Sequence, residues 1–168
     1  MKKRRLPCLL CAGLAFALAA AAQAQKPHDA LARARKKAKA ENQRVLLFLR
    51  GGAPKAQATL AQGLTRRLGR LVRYEYQMVA LPAESLAGKH LRQRFRVPRL
   101  PALVALDTAD QRLGVYAPEA GEISIQQAEK FLTAHKCAPL DAREVLASGQ
   151  AAAKGADKHL LVYLSAPW

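Results

Sequence analysis

Cysteine has the widest chemical range of any residue here, as nucleophile, metal ligand or half of a disulfide, and the sequence holds Cys8, Cys11 and Cys137. Three in 168 residues cannot staple a disulfide-dense mini-protein. His28, His90, His135 and His159 lie far apart, with no cysteine or carboxylate at metal-ligand spacing. Surface or helix-end roles are expected for them, and neither a metal site nor a cofactor. Asp107 and Asp110 bracket an Asp-Thr-Ala-Asp turn, where aspartate is favoured because it bonds its own backbone; they are not an acid/base pair. Gly51-Gly52 to Lys55 lacks the GxxxxGK[ST] spacing of a phosphate loop.

Two of the three cysteines fall in residues 1–24, MKKRRLPCLLCAGLAFALAAAAQA. A basic start (Lys2, Lys3, Arg4, Arg5), an apolar run from Leu6 to Ala22 and an A-x-A end at Ala22–Ala24 form the three-part layout of a secretory signal peptide. A membrane anchor is the rival reading. The small residues at the end of the run, with no basic stop-transfer cluster beside them, favour cleavage near Ala24. Leu10 before Cys11 argues against lipid attachment there. Export to the periplasm or beyond puts the mature chain where disulfides persist, with Cys137 alone. That thiol is then either buried and inert or available for an intermolecular bond. Cleavage also lowers the net charge from +16 to 24 basic against 12 acidic residues.

Composition excludes several classes. A chain 51% apolar and 24% charged is not a disordered polar tract. Its 10 glycines and 9 prolines without period fit neither collagen nor coiled coil. The periodicity predicts a helix over His28–Asn42, a strand at Arg44–Arg50, a break at Gly51-Gly52-Ala53-Pro54 and a helix over Lys55–Val72. A strand follows over Tyr74–Pro82, then a helix near Ser85–Arg96 and a strand at Ala102–Leu106. A hairpin leads into Arg112–Tyr116, and a helix over Ser124–His135 closes the order. Strands separated by helical crossovers imply parallel pairs and the hairpin an antiparallel one. The expected architecture is α/β: a mixed central sheet with helices on both faces.

These elements resemble the thioredoxin-like superfamily over essentially all of residues 28–136. RVLLFL, a loop and a helix match the family's first core strand and active-site helix. RFRVPRLPALVALD, Arg94–Asp107, looks like the stretch that ends in a cis-proline and a strand, with Pro101 as that proline and Leu100 before it. The resemblance implies a thioredoxin-like fold, and substrate binding by the backbone at Leu100 and Pro101. A purely architectural role for Pro101 is the alternative, since a cis bond also fixes a tight turn. The family's dithiol chemistry needs two cysteines two residues apart at a helix start, the first held as a thiolate by the helix amides and dipole. Here the loop reads LRGGAPKAQATL, which places Pro54 and Gln57 at the two cysteine positions and Ala53 where the family often has tryptophan. Neither side chain can become a thiolate, so Gly51, Gly52, Ala53, Pro54 and Gln57 form a degenerate active-site loop.

The tail repeats the front of the domain at a shift of 115 residues. Leu31 falls on Leu146, Lys39 on Lys154, Val45-Leu46-Leu47 on Leu160-Leu161-Val162 and Ala53 on Trp168. That length suits duplication of a whole domain. The ending Ser-Ala-Pro-Trp resembles the lead-in to the family's A-P-W-C-x-x-C, with Ala166, Pro167 and Trp168 as the lead-in to a second active site. The expected organisation is a signal peptide over 1–24, a thioredoxin-like domain without catalytic cysteines over 25–138, and the start of a second domain over 139–168, with a strand at HLLVYL and a C-x-x-C just after Trp168. The alternative is a natural stop, with HLLVYL docked on the first domain's sheet.

Arginines gather in two groups, Arg66, Arg67, Arg70, Arg73 and Arg92, Arg94, Arg96, Arg99. A basic face attracts acidic partners, proteins or peptides, or an anionic membrane surface. Nucleic acid is not expected. Phe48, Phe95 and Phe131 fall at core-like positions rather than forming stacking platforms, and export removes the chain from most nucleic acid. Two functions follow as expectations. The first is an exported thioredoxin-fold protein of envelope thiol–disulfide handling, non-catalytic within these residues. The second is a stand-alone, redox-inactive binding module with a basic surface.

Overall fold

The run Val45-Leu46-Leu47-Phe48-Leu49 is buried end to end, which a strand achieves only at the centre of a covered sheet. The computed structural model describes residues 27–119 and 122–162. Strand β1 (Arg44–Arg50) pairs in parallel with β2 (Tyr76–Pro82) and antiparallel with β3 (Ala102–Leu106). In turn β3 pairs antiparallel with β4 (Arg112–Tyr116), giving the order β2-β1-β3-β4.

Successive side chains of β1 point to opposite faces and feed two cores. Val45, Leu47 and Leu49 pack with Leu31 and Ala38 of helix α1 (Pro27–Ala40), Leu91 of α4 (Leu86–Arg94) and Phe95. Leu46 and Phe48 pack with Leu60 and Leu64 of α2 (Pro54–Thr65), Val72 of α3 (Gly69–Glu75) and Leu132 of α5 (Ile125–His135). Each fully buried leucine contributes on the order of 2 kcal/mol. On the second face the Tyr76 hydroxyl donates to the Leu132 carbonyl at 2.5 Å. Burial first, then the charges of Glu75 and Cys137, pushes that phenol far above its ordinary value, against an opposing pull from Arg44.

Three expectations need correction. The helix expected over Lys55–Val72 is two helices. The Leu68 N–H reaches back to the Gly63 carbonyl at 2.9 Å, closing α2, and α3 restarts at Gly69, with Leu64 and Leu68 both buried. Tyr74 and Glu75 consequently belong to α3, and the strand begins at Tyr76. The second helical crossover does not return the chain to a parallel strand. Helix α4 has only nine residues, and the loop after it re-enters the sheet at the end where β2 left, opposite Leu49. Hence β3 runs antiparallel to β1.

The tail holds helix α6 (Ala142–Gly155), capped by Asp141 accepting from the Arg143 N–H at 2.8 Å, and none of its residues is buried. Residues 158–162 lie in no strand, so the strand expected over HLLVYL is not formed as far as it is described. The signal segment 1–24 and the residues Ala166, Pro167 and Trp168 lie outside the described residues. Among those described, no helix is long and apolar enough to cross a membrane.

Candidate functional site

Two loops meet at the carboxyl end of β1 because β1 and β2 both finish there and β3 begins there. One is Gly51–Ala53, between β1 and α2. The other is 95–101, between α4 and β3. Gly52 has φ +74°, and a Cβ at that position would strike the Leu100 carbonyl; Gly51 has its nearest outside neighbour in the Leu100 side chain, 3.0 Å from where a Cβ would lie. Only glycine allows this approach. The Leu100–Pro101 bond is cis, with Pro101 fully buried and Leu100 half-buried.

Arginines brace the second loop. Arg112 of β4 donates to the Phe95 carbonyl at 2.7 Å, and Arg92 of α4 donates to the carbonyls of Val97 and Pro98 at 3.4 and 3.5 Å. Helix α4 ends through the left-handed Arg96 (φ 51°) and a bond from the Val97 N–H to the Arg92 carbonyl at 2.9 Å. Its packing on β2 is close enough that a Cβ on Gly88 would meet the Pro82 carbonyl.

Helix α2 opens at Ala53 without a side-chain cap, has Pro54 in its first turn and carries no acidic residue there. The exposed Pro54 and half-exposed Gln57 thus stand at a helix start at the cis-proline's end of the sheet, and neither side chain carries a thiol, hydroxyl or carboxylate. Cys137 lies elsewhere. It sits in a cleft of about 330 Å³ with Glu41, Asn42, Tyr74 and Glu75, at the amino end of β1, where Asn42 donates to the Ala138 carbonyl at 3.3 Å. Seven strand residues separate the two ends, about 20 Å.

Between the loops and α4 lies an open groove of about 720 Å³, lined by Gly52, Glu84, Arg92, Pro98, Arg99, Leu100 and Pro118. The structure therefore brings Gly51, Gly52, Ala53 and Pro54 to the same end of the sheet as Leu100 and Pro101. The sequence reading missed Glu84 and Pro118, which are distant in the chain and carried no motif. Arg92 and Arg99 were legible only as part of a basic group. The group itself divides in the structure. Arg94, with Arg35 of α1, pairs the buried Asp110 at 2.7 and 3.2 Å, so Asp110 is an anchor between layers as well as a turn residue. Asp107 bonds its own turn as expected, accepting from the N–H groups of Ala109 and Gln111.

No family model and no curated protein sequence matches this chain. Among solved structures it is similar to a disulphide isomerase from Xylella fastidiosa Temecula1, with TM-score 0.52 and 16% identity over 67% of this chain and 92% of that one. It is also similar to a thioredoxin from Thermus thermophilus, with TM-score 0.49 and 21% identity over 76% of this chain and 92% of that one. The likeness is one of fold.

Proposed function

We propose that this chain, whose fold is thioredoxin-like, is an exported protein of thiol–disulfide handling that binds extended polypeptide beside Leu100–Pro101 without exchanging disulfides at its own loop. One observation carries the reading: the architecture around the site is kept while its reactive atoms are gone. Gly52 approaches the Leu100 carbonyl, Leu100–Pro101 is cis, and the uncapped start of α2 faces the same end. At that start stand Pro54 and Gln57, neither of which can form a mixed disulfide. Export rests on the signal layout of residues 1–24.

Two measurements test it together. Insulin reduction by the purified protein should stay at the rate of dithiothreitol alone. An unfolded, cysteine-blocked polypeptide carrying a photoreactive group should crosslink to residues 98–101. Turnover above background would sink the first half, and crosslinks confined to other surfaces the second.

A second reading has its own support. Arg66, Arg70 and Arg73 are exposed with no acidic partner among the described residues, and Arg67 reaches Glu129 only at 3.6 Å. Exposed arginines gathered within eight residues suit acidic proteins or an anionic membrane. Cosedimentation with vesicles containing anionic lipid, abolished by Arg70→Glu with Arg73→Glu, would favour it.

A further inference from the structure

We propose that the groove beside Leu100–Pro101 selects extended segments that carry an acidic side chain, and that Arg92 and Arg99 are the residues that read it. This rests on the peptide-binding reading above and adds the substrate class. At Gly52 and Leu100 the backbones of the two loops come close together, and neither residue offers a polar side chain to an incoming chain. Pro98 and Pro118 form rigid apolar shoulders without amide donors. Selectivity must come from the remaining three lining residues, one carboxylate and two guanidiniums.

Their charges do not cancel. Glu84 is already engaged by Lys89 at 3.7 Å. Arg99 is exposed and makes no ion pair or hydrogen bond among the described residues. Arg92 is half-buried and holds the Val97 and Pro98 carbonyls through Nε and Nη2 at long distances, leaving Nη1 without a partner among the described residues. A guanidinium oriented by backbone carbonyls on one side and open on the other presents its remaining donors in a fixed fork, the geometry that suits a carboxylate. Neutral segments would leave those donors to water, and basic segments would face like charge.

The experiment uses the full chain and three fluorescent nine-residue peptides of one apolar framework, with a central pair of glutamates, glutamines or lysines and a photoreactive group at one end. Anisotropy should rank glutamate above glutamine above lysine, with glutamate about fivefold tighter than glutamine at low salt and the gap narrowing as salt rises. Arg99→Glu, at an exposed position with no bonds to lose, should reverse the ranking, and Glu84→Gln should strengthen the glutamate peptide. Equal affinity of the three peptides, with crosslinks still at residues 98–101, would overturn the selectivity and leave peptide binding standing. A glutamate preference untouched by Arg99→Glu would also overturn it, because Arg99 would then not read the acid. If no peptide crosslinks to 98–101, the peptide-binding reading fails and the selectivity fails with it.

Discussion

The two ends of β1 divide between them what thiol chemistry needs together. At the carboxyl end are a helix start without an acid in its first turn, a glycine pair that lets two loops touch, and a cis-proline, with no cysteine there among the described residues. At the amino end is Cys137, in a cleft shared with Glu41 and Glu75, two residues after the end of α5. A thiol reacts when its surroundings favour the thiolate, so possession of a cysteine decides little and its position decides most. Among the described residues, the helix start of α2 lies at one end of β1 and Cys137 at the other.

The approach of the two loops depends most on Gly52. A side chain there would be strained by φ +74° and would collide with the Leu100 carbonyl, so Gly52→Val should cost about 3 kcal/mol, read by urea denaturation. A cost below about 0.5 kcal/mol would mean that the loops do not touch. A smaller effect is expected from returning the missing atoms. In the double variant Pro54→Cys, Gln57→Cys the thiol at position 54 should ionise about one unit below an ordinary cysteine, because the uncapped helix start stabilises the anion. Iodoacetamide should then label position 54 several-fold faster than Cys137 at neutral pH. Equal rates would erase the contrast between the ends.

How much of this was legible in the sequence follows from what each feature depends on. The strand at Arg44–Arg50 and the break at Gly51–Pro54 are local signals, an apolar run and its punctuation, and both stand in the structure. Pro54 opens α2 at the end of that break, whereas its assignment with Gln57 to the two cysteine positions is what the family resemblance implies. The helix ends were harder. Chains usually mark them with glycine, yet α1 and α4 stop through left-handed Asn42 and Arg96, with bonds from Gln43 N–H to Ala38 and from Val97 N–H to Arg92. The direction of β3 was misread because it depends on how far α4 and its loop carry the chain, which no local pattern states. Glu84 and Pro118 join the groove only through that same long-range path.

Tyr76, the first residue of β2, ties the sheet to α5 beside the amino end of β1, and its effect should be more modest. Tyr76→Phe removes the hydroxyl that meets the Leu132 carbonyl and should cost about 1 kcal/mol near neutral pH. The pH dependence has a definite sign. Burial holds the folded phenol above the unfolded value of about 10, so its contribution is complete below that pH. As the pH rises further, the unfolded chain releases a proton that the folded chain keeps, and stability falls. The phenylalanine variant should lose part of that alkaline decline. An identical decline in both proteins would assign it to other groups.

Cys137→Ser should do the least, and for that reason it is the sharpest check on the comparison between the ends. The residue is half-buried and lies about a strand length from the groove, so the change in stability should stay within about 0.5 kcal/mol. Peptide affinity at Leu100–Pro101 should not move, and labelling of position 54 in the double-cysteine variant should proceed at the same rate with Cys137 present or replaced. A serine variant that altered either would mean that the two ends are coupled through β1. Cys137 would then belong to the same functional unit as the groove it does not line.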